Sequence, residues 1–88
     1  MMDIIFAPIE EEDSDLEYIV FNATQGGVVI ECAISYQALN EHYEAEYSDP
    51  LFAFMMARSE IEKIAEKMIS SGQVKDNKLL IMSEHIVQ

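Results

Sequence analysis

The stretch Tyr18-Ile19-Val20-Phe21-Asn22-Ala23-Thr24-Gln25-Gly26-Gly27-Val28-Val29-Ile30-Glu31-Cys32-Ala33-Ile34-Ser35 decides the fold. β-Branched and aromatic residues flank Thr24-Gln25-Gly26-Gly27 on both sides, the pattern of two strands joined by a tight turn. A two-residue loop at Gln25-Gly26 sets Phe21 opposite Ile30 and Ile19 opposite Cys32. Because side chains alternate along a strand, those four share one apolar face with Ile34, and Glu31 points to the other side, toward water.

Downstream of the hairpin, Ser35 is placed to cap a short helix in which Tyr36, Leu39 and Tyr43 recur on one face, fading near Tyr47. Asp49-Pro50 then starts a second helix, an acidic cap followed by proline at the first helical position. Gly72, after Ser70-Ser71, ends it as a left-handed cap. About 22 residues lie between, roughly 33 Å of helix, enough to cross a whole sheet. Phe54, Ala57, Ile61, Ile64, Ala65 and Met68 form its core stripe. Lys78 to Ser83, extending toward Val87, reads as a last strand, and its apolar residues of both parities predict an interior position or cover on both faces.

Upstream, Met2 to Phe6 reads as a short edge strand ended by Pro8, and Glu10-Glu11-Glu12-Asp13-Ser14-Asp15 as a solvated loop. The predicted fold is therefore α+β: one domain, residues 1–88, with an antiparallel sheet of about four strands (strand, hairpin, two helices, strand) and the helices packed on one face. Half of the residues are hydrophobic, so a chain of this length carries one core without staples.

Charge is the most unusual feature. Seventeen acids face five bases, and all five bases (Arg58, Lys63, Lys67, Lys75, Lys78) lie from residue 58 onward. The segment before them holds twelve acids and no base. Nucleic-acid affinity rests on neutralising phosphates with Lys and Arg, so no nucleic-acid partner is expected, and anionic membrane surfaces are excluded on the same ground. An acid at Asp3, no apolar run near the length of a membrane span and a single cysteine together predict an untargeted cytoplasmic protein.

No residue pattern assembles catalytic chemistry. Cys32 shares its strand parity with Ile30 and Ile34, so a packed, inert thiol is expected rather than a nucleophile. His42 and Glu46, four apart on a helix, make only a generic pair, with no second motif to complete a metal site. Asp13, Asp15 and Glu17 alternate like calcium ligands, but Tyr18 and Thr24 stand where an EF-hand loop needs glycine and glutamate. The glycines Gly26, Gly27 and Gly72 build neither a phosphate loop nor a dinucleotide fingerprint. No cofactor, metal or enzyme activity is expected.

Phe21-Asn22-Ala23, the glycine turn, Ile30-Glu31-Cys32-Ala33-Ile34-Ser35, Ala38-Leu39 and Tyr43, followed by Phe54, Arg58, Ile61-Glu62 and Ala65, with Phe6 and Pro8 upstream, resemble domain of unknown function family 1488, a family of small bacterial proteins. The resemblance spans nearly the whole chain and implies a stand-alone α+β domain; it brings no activity and no site residues. Asn22 departs from the family's usual proline, and Met55-Met56 stand where relatives often look polar.

Two features remain for function. Phe52, Met55 and Met56 lie off the core stripe of the long helix and form the candidate interaction surface, for an unknown protein partner or a homodimer; the alternative is that the short helix around Leu39 and Tyr43 folds over them within one chain. Arg58, at the edge of that stripe, has Glu62 one turn on and forms the candidate structural ion pair, its head held by Glu62 or by an acid on a strand. A non-catalytic accessory or interaction module is the leading expectation; the alternative is an acidic nucleic-acid mimic that occupies a basic site on a partner.

Overall fold

Gly26 and Gly27 carry φ angles of +59° and +83°, the conformation of a type I′ turn, which twists as the flanking strands do. The hairpin of β2 (Tyr18–Gln25) and β3 (Val28–Ser35) therefore closes on Gly26-Gly27 and not on Gln25-Gly26. Phe21 stands opposite Cys32, and Ile19 opposite Ile34. The correction has a simple cause: both turn positions need positive φ, and only the glycine pair adopts it without strain. The change moves every partner by two residues, so parity survives and the apolar face stays the one expected.

The computed structural model describes residues 3–43 and 49–86. The predicted beginning at Met2, the fading of the first helix near Tyr47 and an extension to Val87 lie outside the described residues. Strand β1 runs Ile4–Asp13, past Pro8 and through Glu10, Glu11, Glu12 and Asp13, where a loop was expected. It pairs antiparallel with β2 in two blocks separated by a register shift between Phe6 and Glu10. Pro8 sits in that shift, where a missing N–H interrupts no ladder. The acids extend as a strand because β1 is at the sheet's edge and alternation sends successive carboxylates to opposite faces.

Helix α1 (Tyr36–Tyr43) begins on Ser35, whose Oγ accepts a hydrogen bond from the Ala38 N–H at 3.1 Å. Helix α2 (Pro50–Ser70) begins on Asp49, whose carboxylate accepts from the Leu51 N–H at 2.9 Å. It ends in a Schellman motif: the Gly72 N–H donates to Ile69 O at 3.2 Å, and the Gln73 N–H to Met68 O at 3.0 Å, with Gly72 at φ +79°. Strand β4 (Lys78–Ile81) follows, then a 3-10 turn at Ser83–His85.

The strand order is β1-β2-β3-β4. The first two pairs are antiparallel, but β3 and β4 run parallel, Glu31 beside Lys78 and Ile34 beside Ile81, so the sheet is mixed. Parallel neighbours need a long crossover, and α1 with α2 supplies it by returning the chain to the start of β3. The expected interior place for β4 is thereby corrected: it is the second edge of the sheet.

Both helices pack on one face. Ile19, Phe21, Cys32, Ile34 and Ile81 from the sheet meet Ala38 and Leu39 from α1 and Phe54, Ile61, Ala65 and Met68 from α2, all fully or nearly fully buried. Ala57 and Ile64 flank this core partly buried, and Ala53 and Ile69 add to it. Phe21 lies 5.1 Å from Phe54 and 6.1 Å from Phe6 between ring centroids, tying β1, β2 and α2 together. Among the described residues no helix covers the opposite face, and none is long and apolar enough to cross a membrane.

A Cβ at Gly27 would meet nothing within 4 Å, so a substitution there reads backbone strain alone. Gly27→Ala is expected to lower the urea-unfolding free energy by about 1–2 kcal/mol, whereas Gly26→Asn, which fits an I′ turn, stays within roughly 0.5 kcal/mol of wild type.

Candidate functional site

Along α2, Phe54, Ile61, Ala65 and Met68 are turned into the core, so residues about half a turn away must face outward. Phe52, Met55 and Met56 do so: they are 54%, 55% and 74% exposed. Their spacing of three and four residues makes them neighbours on one ridge, which continues through exposed Ser59 and Lys63. Helix α1 packs against the adjacent flank, leaving a hollow of about 370 Å³ lined by His42, Tyr43, Ala53, Met56, Ala57 and Glu60. Met56 stands at the rim of this hollow, uncovered by the described part of α1.

Arg58 occupies the other flank. Its Nε donates to Glu62 Oε2 at 2.7 Å, one helical turn on, and Nη1 donates to Glu10 Oε1 of β1 at 2.6 Å. Nη2 donates to the Ala7 carbonyl, and Cζ lies 5.5 Å from the Phe54 ring centroid. Each guanidinium nitrogen is thus engaged within the chain, and the side chain clamps α2 to the irregular segment of β1. A second, smaller clamp joins β1 to α1: the Tyr36 hydroxyl donates to the Glu12 carboxylate. Desolvation, and then that carboxylate, push the Tyr36 hydroxyl far above its usual range. Glu10 and Glu12 face inward to these partners because they stand opposite Phe21 and Ile19.

The remaining sequence candidates do not come together. Cys32 is fully buried, its Sγ 3.8 Å from Ile30 O, and burial with the nearby Glu31 charge pushes its pKa up to about 11. Glu46 lies outside the described residues, so its pairing with His42 has no geometry to report. His85 accepts the Met82 N–H on Nδ1 at 3.0 Å, which fixes the 3-10 turn. Asp13 accepts the Leu16 N–H at 3.1 Å, and Glu17, at φ +59°, accepts the Tyr36 N–H on its carbonyl at 2.8 Å. These residues shape the β1–β2 turn. Among the described residues, no three His, Cys, Asp or Glu side chains converge as metal ligands do.

Comparison with known proteins adds two findings. The family model described as "Protein of unknown function (DUF1488)" matches residues 4–81. A crystal structure of a protein of unknown function from the same family, from Shewanella loihica PV-4, is 28% identical, with a TM-score of 0.76 over 89% of this chain and 90% of that one. No curated protein matches the chain.

Two expected outcomes follow from the geometry. Arg58→Ala is expected to lower stability by about 1–3 kcal/mol in urea titrations and to speed amide exchange in β1, with Arg58→Lys recovering only part of the loss. For Cys32 the folded pKa is the higher one, so its contribution to stability is complete below about pH 9, the ordinary thiol value, and is lost as pH rises through about 11. Wild type is expected to lose roughly 2–3 kcal/mol more than Cys32→Ala over that interval, read as the difference between their urea midpoints at each pH.

Proposed function

We propose that this chain, which belongs to the DUF1488 family, is a small non-catalytic interaction module that works through the exposed ridge of α2, most simply as a homodimer contact. The observation that carries this reading is the exposure of Phe52, Met55 and Met56, three large apolar groups side by side on a helix whose opposite stripe already fills the core. Burying such a side chain fully is worth roughly 1.5–3 kcal/mol, so a ridge of three is a favourable surface to cover. Methionine suits the role, because its flexible thioether adapts to a partner's shape. The net charge of −12 opposes self-association in general; the ridge itself runs on into Ser59 and Lys63, with Glu60 beside Met56 as its adjoining acid.

The second reading, an acidic mimic that fills a basic nucleic-acid-binding site, draws its support from the twelve acids that precede the first base. Salt separates the two: screening weakens an acidic contact steeply and leaves an apolar one nearly unchanged.

Sedimentation of wild type and Met56→Lys tests the leading reading. Wild type is expected to associate with rising concentration, and Met56→Lys to remain a monomer whose stability lies within about 0.5 kcal/mol of wild type. A wild type that stays monomeric at high concentration, with Met56→Lys strongly destabilised, would place the ridge inside the fold of one chain and end the homodimer reading.

A further inference from the structure

The face of the sheet turned away from the helices is used by neither the core nor the α2 ridge. Its middle row runs across all four strands as Glu11, Val20, Ala33 and Leu80, and the next row as Asn22, Glu31 and Lys78. Three surface hollows, of about 560, 400 and 300 Å³, meet at Val20 and Glu31. On this face Leu80 is 36% exposed, Val20 half-buried and Ala33 nearly buried between them, while Leu79 and Ile81, the neighbours of Leu80 in β4, are buried on the other. Parallel strands in proteins are mostly covered on both faces, and β3 and β4 are the parallel pair here. The apolar residues of both parities in β4 have the composition of a strand with two covered faces, yet among the described residues one cover is missing.

We infer that the open face docks a basic amphipathic helix of a partner protein, its apolar stripe on Val20, Ala33 and Leu80 and its lysines or arginines against Glu11, Asp13 and Glu31. Charge decides the occupant. The strands bring Glu11, Asp13 and Glu31 to this face against Lys78, and the adjoining turns add Asp15 and Asp76 against Lys75, so acids outnumber bases five to two. A second copy would set these carboxylates against themselves, and lipid headgroups or nucleic acid would add further negative charge. A cationic helix gains on both counts. Asp13 on β1 and Glu31 on β3 stand in the rows on either side of the middle row, each one two-residue step along the strands, roughly 7 Å, from it, which brackets a helix laid along that row, and Glu11 stands at the row's end. Cations on both flanks of an apolar stripe then reach a carboxylate each. This inference rests on the proposed role as an interaction module but uses a different surface from the α2 ridge.

The test titrates the full chain, isotopically labelled, with a synthetic helical peptide of leucine and lysine at i, i+3, i+4 spacing, and follows backbone amide shifts. Shifts concentrated at Val20, Glu31, Ala33 and Leu80 are expected. Leu80→Glu makes the protein more acidic, so a merely electrostatic contact would hold or tighten, whereas docking on this face is expected to weaken at least about tenfold. Glu31→Lys is expected to weaken it also, and amide spectra of both variants check that they fold. Shifts spread evenly over the acidic surface, or undiminished binding by Leu80→Glu, would overturn the inference. Shifts confined to Phe52, Met55 and Met56 would overturn it and leave the interaction-module reading standing. Amide shifts at the open face on simple dilution, without peptide, would make the occupant a second copy and overturn it as well.

Discussion

The ring of Phe54 rests 5.1 Å from the ring of Phe21, and the position of α2 over the sheet depends on this contact. Phe21 is on the middle of β2, one of the two inner strands, so the contact pins the long helix to the centre of the sheet. Once Phe54 is inward, helical geometry leaves no choice about the rest of α2: Ile61, Ala65 and Met68 follow it into the core, and Phe52 and Met56 are carried to the far side. The Arg58 guanidinium then lies over the Phe54 ring and reaches the carboxylates of Glu10 and Glu62. The clamp between helix and sheet edge and the exposed ridge are both results of one buried aromatic contact.

Most of the architecture was legible wherever a local rule acts alone. Ser35, Asp49-Pro50 and Gly72 mark helix ends because capping involves only residues within one turn. The core face of the hairpin was legible because parity does not depend on register. What escaped was set by partners far along the chain. Glu10 to Asp13 looked like a loop because a run of acids has no local reason to extend; the ladder with β2 and the inward partners Arg58 and Tyr36 supply that reason from elsewhere. The direction of β4 escaped similarly, since four apolar residues look the same read either way along a neighbour.

The candidate surface shows the same division. Helical periodicity alone places Phe52 and Met56 opposite the core, and the four-residue spacing alone pairs Arg58 with Glu62. The acid on β1 that completes the Arg58 clamp could not be named without the course of β1. The open face, with Val20, Glu31 and Leu80 brought together from three strands, had no sequence signal beyond the mixed parity of β4, because it exists only after the parallel pairing of β3 and β4.

The two outer strands also bear on how the protein survives crowded conditions. An unpaired strand edge is a template on which other chains can add, the first step toward aggregation. Here one edge, β1, carries four consecutive carboxylates and a proline, so an incoming strand would meet like charge and an interrupted ladder. The other, β4, offers only four residues before the chain turns away into Ser83–His85. One edge is guarded by charge and the other by brevity, so among the described residues neither outer strand offers a long uncharged template for another chain.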